Sequence, residues 1–305
     1  MGEITKDNTL IVMAGDGRFP YKAYVSEGFK TVLAYKQTGS FTRILREVCF
    51  RLPLLPKTVW YNSEIKRYAP LYIYVRDAII TRKYLLWLQK LFPEALICFS
   101  YENMVGKARH LKPDQIPEGI RVWTYDSYDS EKYGIRLKKS FTYFQSCVKK
   151  SSEKKYDLLF VGKDKGRGDW LKKMEKYLND NGLKTRFLIT KDGKYAKEKP
   201  YYEKPVSYDQ ITDWLAESRA VLNIGMENQT GITIRDIESY YNRIKLVTTN
   251  VCVKDTEIYD VHNTFLLKDD NWADLVGFLK QEYVPSAEVS WEGHTIEDGL
   301  REVFA

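Results

Sequence analysis

Cysteine and histidine are scarce in this 305-residue chain, four and three residues respectively, and neither set is grouped. Cys49, Cys98, Cys147 and Cys252 form no Cys-x-x-Cys pair, and His110, His262 and His294 stand apart from one another and from the cysteines, so no metal site, structural zinc included, is expected. Scattered thiols suit a reduced, cytoplasmic protein. No apolar run reaches the roughly 18 residues needed to span a bilayer. The opening MGEITKDNTLIVMAGDG lacks the basic start and cleavage site of a signal peptide, which supports the same expectation of a cytoplasmic chain. With 18 Gly and 10 Pro the chain is not a low-complexity one. Gly-x-Gly-x-x-Gly and Gly-x-x-x-x-Gly-Lys-Ser/Thr are both missing, which argues against a dinucleotide dehydrogenase and a P-loop NTPase.

What is present is an excess of positive charge, 48 Lys and Arg against 41 Asp and Glu for a net +7, beside 23 Tyr and 7 Trp. This combination suits an anionic partner: nucleic acid, a sugar nucleotide or an acidic membrane surface. At roughly 100–200 residues per domain the length predicts about two domains. From Tyr156 onward short β-rich runs (157–162, 185–190, 220–225, 245–250, 263–268) alternate with amphipathic helices near 168–181, 207–218, 231–242 and 270–282. That alternation predicts a parallel sheet covered on both faces. The first half reads as a looser version, with strands at 9–15, 71–75, 95–100 and 120–125 and helices at 40–52 and 81–92. The polar KKSSEKK run reads as a linker, so residues 1–150 and 151–283 are expected to form two Rossmann-like α/β domains. Residues 284–305 are expected to pack back toward the first. Ligands in such folds sit outside the carboxyl ends of the strands, which selects the residues just after each strand.

Two strand ends carry chemistry. Gly162-Lys163-Asp164-Lys165-Gly166-Arg167-Gly168 leads from a strand into a helix; its glycines allow close backbone approach, and Lys163, Lys165 and Arg167 add positive charge, which suits phosphate. A solvated basic turn explains the same residues. After 220–225, Gln229, Thr230, Gly231 and Thr233 crowd the first turn of a helix whose amides could hold a diphosphate while Arg235 neutralises it. Glu238, one turn further on, is placed to accept hydrogen bonds from ribose hydroxyls. A capped amphipathic helix with a surface Arg–Glu pair is the plainer alternative.

The run Gln229 to Glu238 (QTGITIRDIE), followed by Lys245 to Asn250 (KLVTTN), resembles the Gly-Leu-Thr-x-Arg-x-x-Glu…Lys-Leu-Ile-Thr-Thr-Asn signature of bacterial lipopolysaccharide- and capsule-biosynthesis glycosyltransferases. Phe160 to Arg167 (FVGKDKGR) is similar to their glycine-rich turn, and Tyr125 to Gly134 (YDSYDSEKYG) to the segment that joins their halves. The three motifs follow in the same order and cover about 120–283. The resemblance implies the GT-B architecture, two Rossmann-like domains facing each other across a cleft. It also implies transfer of a sugar from a nucleotide donor, UDP-, GDP-, dTDP- or CMP-linked, to a hydroxyl of a cell-surface glycan or lipid-linked acceptor.

Cleaving a glycosyl–phosphate bond leaves negative charge on the departing diphosphate, so prepositioned cations and helix amides lower the barrier. Arg235, Lys163 or Lys165, Arg167 and the two helix N-termini are the candidates. The chain has no Asp-x-Asp, so the resemblance implies a metal-independent reaction with no cofactor beyond the donor itself. The proton acceptor is expected from the first domain: Asp16, in the AGDGRFP turn after the first strand, with Asp126 as competitor and Asp129 behind it. The basic aromatic segments 40–60 and 81–92 have the composition of helices that rest on anionic lipid, although core packing explains the same spacing. A non-catalytic nucleotide-sugar or glycan-binding subunit is the alternative reading. Nucleic acid is not expected as a partner, because the basic residues cluster in the linker and the phosphate-like turn.

Overall fold

The computed structural model describes residues 2–14, 19–37, 39–51, 57–77, 79–106, 111–139, 141–193, 196–285 and 289–305; within 40–51 the side chains at 42, 45, 46 and 48–50 are described. Two compact units divide the chain: Met1–Phe144 together with Glu292–Ala305, and Gln145–Trp291. The division therefore falls at 144/145, ahead of the KKSSEKK run. That run is bound to the second unit by its own charges. Lys149 pairs with Asp213 at 2.5 Å, Lys154 Nζ donates to the carbonyl of Ala216 at 2.7 Å, and Lys155 pairs with Glu217. All three acceptors lie at the carboxyl end of one helix, where the dipole attracts cations.

The first unit is built on β1 (Thr9–Met13), α1 (Tyr21–Ser26), β2 (Lys30–Leu33), α2 (Ser40–Arg51), β3 (Tyr72–Arg76), α3 (Arg82–Leu91), β4 (Leu96–Tyr101), β5 (Arg121–Thr124), α4 (Ser127–Tyr133) and β6 (Arg136–Leu137). Its sheet runs β2-β1-β3-β4-β5-β6, parallel throughout. β1 is the apolar run TLIVM and is buried at every position, as a strand covered on both faces must be. Leu10, Val12, Ile73, Val75 and Phe99 meet Tyr84, Leu85 and Leu88 of α3 in the core. Thr81 starts α3 by accepting from the amide of Tyr84. The C-terminal helix Ile296–Phe304 packs on β4 and β5, with Phe304 against Tyr72 and Arg121 bonded to the carbonyl of Ala305 at 2.8 Å. The sequence reading lacks α1, β2, α4 and β6. β2 has four residues and begins at a lysine, so its partner β1, and not its own pattern, specifies it.

The second unit comprises β7 (Leu158–Lys163), α5 (Gly168–Asp180), β8 (Thr185–Thr190), α6 (Tyr208–Ala216), β9 (Ala220–Asn223), α7 (Ile234–Asn242), β10 (Lys245–Thr248), β11 (Thr264–Leu266) and α8 (Trp272–Lys280). Its parallel sheet runs β11-β10-β9-β7-β8. Both units thus share a doubly wound order in which the chain reverses direction across the sheet, between β1 and β3 in one and between β7 and β9 in the other. Leu158, Phe160, Leu222 and Val247 pack against Leu171, Met174 and Leu178 of α5 and Leu275 and Leu279 of α8. Among the described residues no helix is long and apolar enough to cross a membrane.

Lys245 is 1% exposed, yet it opens β10. Its ammonium donates to the carbonyls of Phe278 at 2.7 Å and Gln281 at 2.5 Å, closing the carboxyl end of α8. Burial pushes its pKa down, but three donors against two helix carbonyls keep a charged form useful there. Lys245→Met keeps the packing but takes the ammonium from both carbonyls, leaving Phe278 only the Gln281 amide and the Gln281 carbonyl no donor among the described residues. It should lower stability by about 1–3 kcal/mol, read as a fall in the thermal midpoint.

Candidate functional site

The reversal of strand order places the loops after β7 and β9 side by side, and these are the two motif-bearing strand ends. The first loop turns sharply through Lys165 at φ 48° and Gly166 at φ 79°, both left-handed. It then enters α5 at Gly168. A Cβ on Gly168 would lie 2.6 Å from the Tyr201 hydroxyl and 2.7 Å from a carboxylate oxygen of Asp164, so any larger residue would displace these side chains.

Asp164, inside this turn, decides what α5 offers a ligand. Its Oδ1 accepts from the Gly168 amide at 2.7 Å, and its Oδ2 accepts from the Tyr202 hydroxyl at 2.5 Å and the Tyr201 hydroxyl at 3.4 Å, with Lys199 at 3.7 Å. Burial alone would raise the carboxyl, but the hydrogen bonds from Tyr202 and Gly168 and the nearby Lys199 outweigh it and hold Asp164 below its ordinary value. The Gly168 amide, at the start of α5, is thus met by a carboxylate of the same chain, and Tyr201 and Lys199, which bind that carboxylate, also bind Asp169.

The cations lie beyond that cap. Lys163 and Lys165 are exposed. The backbone amide of Lys165 donates to Asp192 Oδ2 at 2.7 Å, and Lys163 Nζ lies 3.5 Å from the Asp192 carbonyl. Arg167 is more enclosed: its NH1 donates to the Ile224 carbonyl at 2.5 Å and its guanidinium lies over the Phe160 ring. Its buried Nε has no hydrogen-bond partner among the described residues. A Cβ on Gly162 would lie 3.0 Å from the Phe160 ring and 3.6 Å from Arg167. Arg167 therefore ties the β7 turn to the β9 loop, and Lys165 Nζ, 3.4 Å from Met226 Sδ, adds a second contact.

The β9 loop is shaped by its own side chains and by β10. The Gln229 amide oxygen accepts from the Met226 N–H at 3.0 Å, so this residue closes the loop. Thr249 Oγ1 accepts from Gly225 N at 2.9 Å, and Asn250 Nδ2 donates to the carbonyls of Thr230 and Gly231 at 3.4 and 3.2 Å. The Thr-Thr-Asn run after β10 thus holds the turn that precedes α7. Thr233 caps α7, with its amide and hydroxyl both donating to Asp236 Oδ2. Asp236 also accepts from Asn223 at 2.7 Å; burial pushes its carboxyl up, against these hydrogen bonds.

Arg235 and Glu238 share one face of α7, as their spacing predicts, and form an ion pair. Their environment is not that of a surface pair. The Glu238 side chain is 0% exposed and that of Arg235 is 16% exposed. The Tyr208 hydroxyl, at the start of α6, donates to Glu238 Oε1 at 2.5 Å. Burial raises the Glu238 carboxyl, opposed by Arg235 and Tyr208.

The structure therefore gathers Gly162, Lys163, Lys165, Arg167, Gln229, Thr230, Gly231, Thr233, Arg235 and Glu238 on two adjacent loops and the helix that follows. Asp16 lies outside the described residues. Asp126 belongs to the first unit, where it is buried and caps α4 by accepting from the Asp129 amide at 3.1 Å; Asp129 in turn accepts from the Val105 amide at 2.6 Å. Each of these carboxylates thus holds a backbone amide. The sequence reading assigns no role to Asp164, Asp192, Tyr201, Tyr202, Tyr208 or Asp236. Asp164, four residues before Gly168, carries a detectable capping signal; Tyr201 and Tyr202 come from the distant connection between β8 and α6, and Tyr208 from the first position of α6, and they carry none.

Two parallel, doubly wound α/β units in one chain define a fold of the GT-B glycosyltransferase type. No protein-family model matches the chain, and no curated protein does. Among solved structures it is similar to a sucrose-phosphate synthase from Thermosynechococcus elongatus, with TM-score 0.51 and 9% identity over 97% of this chain and 95% of the synthase. It is also similar to a DNA-modifying β-glucosyltransferase, with TM-score 0.48 and 14% identity over 96% and 94%. HepE from Anabaena, solved in complex with UDP-glucose, gives TM-score 0.47 and 11% identity over 97% and 94%. At these identities the likeness is one of fold.

The lowered folded-state value of Asp164 has a direct consequence. Its stabilisation is fully present above the ordinary carboxylate value of about 3.9 and is lost as pH falls through the lower folded value. The thermal midpoints of wild type and Asp164→Asn should therefore differ most near neutrality and converge on acidification. A difference that widens at low pH would contradict the arrangement.

Proposed function

We propose that the chain is a glycosyltransferase that moves a sugar from a nucleotide-sugar donor to a hydroxyl of a cell-surface glycan or lipid-linked acceptor, without a metal ion. The observation that carries this reading is the adjacency, at the strand-order reversal of the second unit, of the turn that bears Lys163, Lys165 and Arg167 and the loop that leads into α7 with Arg235 and Glu238. The GT-B-type fold supports it, as does the sucrose-phosphate synthase likeness. In the proposed reaction the bond between the sugar's anomeric carbon and the phosphate oxygen breaks, and the nucleoside diphosphate leaves with the electron pair. The acceptor oxygen forms the new bond and gives up its proton. Four side-chain cations near the leaving group would stabilise charge that is larger in the transition state than in the bound donor. Glu238 would accept from the ribose. The first unit would bind the acceptor, with Asp16 as the proton acceptor.

Contact with the inner membrane face is part of this reading. Leu86 on α3 is exposed on the helix that carries exposed Arg82, Lys83 and Lys90, and Leu45 and Val48 on α2 are exposed as well, a composition that suits anionic lipid.

Incubation with UDP-, GDP-, dTDP- and CMP-linked sugars, with thermal shift and donor turnover as readouts, tests the proposal. No shift with any nucleotide would overturn it, because saturation at 100 times Kd stabilises by about 2.7 kcal/mol. Arg235→Ala should reduce turnover by on the order of 10²–10³. Asp16→Asn should abolish transfer while leaving the affinity for the nucleotide unchanged, which calorimetry on the variant would show.

A further inference from the structure

Glu238 presents an obstacle to any ligand. Its side chain is wholly buried, and both carboxylate oxygens are in use: Oε1 accepts from Tyr208 at 2.5 Å and Oε2 is paired with Arg235. A ribose can reach this carboxylate only if one of the groups covering it moves. The two partners differ in how readily they can. Tyr208 is the first residue of α6, directly after the Ser207 cap that accepts from Gln210, and is uncharged. Arg235 has a long, partly exposed side chain, and a diphosphate is a stronger partner for a guanidinium than one carboxylate.

We propose that the Arg235–Glu238 pair exchanges partners when the donor binds: Arg235 passes to the diphosphate, and the vacated Oε2 accepts a ribose hydroxyl, while Tyr208 keeps Oε1 in place as a positioning residue. The proposal rests on the reading of this unit as the nucleotide-sugar site. Its consequence is selectivity. A nucleoside without phosphates must break the ion pair with nothing to replace it, whereas a nucleoside diphosphate supplies replacements on both sides. Diphosphate and ribose recognition are thereby coupled, and the coupling is reciprocal. Burial of Glu238 favours its neutral form once Arg235 is absent, so removing Arg235 opens the carboxyl to ribose without leaving a bare buried charge.

Calorimetry and ligand-observed NMR with UDP, GDP, uridine, guanosine, their 2′-deoxy counterparts and inorganic pyrophosphate test the exchange. Arg235→Ala should weaken the preferred diphosphate tenfold or more while leaving its nucleoside unchanged or bound more tightly. Parallel weakening of both, or a nucleoside that binds neither wild type nor variant, would overturn the exchange. Tyr208→Phe should abolish discrimination between the ribose and 2′-deoxyribose forms with pyrophosphate affinity unchanged. A matching loss of pyrophosphate affinity would reduce Tyr208 to packing. If wild type binds no nucleoside diphosphate at all, the donor-site reading itself falls; if it binds one and the ratios do not move, only the exchange falls.

Discussion

The constraint on which the site depends is the reversal of strand order between β7 and β9. Successive right-handed crossovers would carry each loop steadily away from the last. Where the order reverses, two connections leave adjacent strands toward opposite faces and a crevice opens at their carboxyl ends. Here those connections are the Lys163–Gly168 turn and the Ile224–Thr233 loop, and the bond from Arg167 to the Ile224 carbonyl joins them. Every other site contact is arranged around that junction. Thr249 and Asn250 reach it from β10, Asp192 from β8, and Tyr208 from the start of α6.

The electrostatics are less simple than a positive patch awaiting an anion. Each helix that begins at the junction carries a carboxylate of its own, Asp164 at α5 and Asp236 at α7. These satisfy backbone amides that would otherwise be orphaned. They also place negative charge beneath the loops, so the positive potential there comes from side-chain cations. The two carboxylates are tuned in opposite directions. Hydrogen bonds from Tyr202 and Gly168, with Lys199 close by, overcome the burial of Asp164, whereas burial prevails at Asp236. Burial is the largest influence on both; Asp164 adds the Lys199 ammonium to its hydrogen bonds, whereas Asp236 is met by neutral donors.

Much of the second unit is legible in the sequence because each strand there is a short β-rich run followed by a helix with one apolar stripe. The spacing of Ile234, Ile237 and Tyr241 puts a core-facing stripe on α7, and the spacing of Arg235 and Glu238 puts them on a different face. The first unit is harder to read. β2 and β6 are too short to show periodicity and form only because a neighbouring strand offers its edge. The charged run before β7 illustrates the limit of composition: its lysines look like a solvated tether, yet they close the carboxyl end of α6.

By itself the sequence determined the alternation of strands and helices, the glycines that allow the β7 turn, and the basic residues at two strand ends, because these depend on local periodicity and backbone freedom. Only the tertiary structure decided that the two motif loops touch, that Tyr201 and Tyr202 close on Asp164, that Asp129 holds the amide of Val105, and that Glu238 is buried beneath Arg235 and Tyr208. Those outcomes depend on strand order and on partners tens of residues distant, as between Tyr208 and Glu238 or between Arg167 and Ile224. The long-range contact closes an entropically costly loop and is supported by the packing of the whole sheet, so no window of sequence contains it.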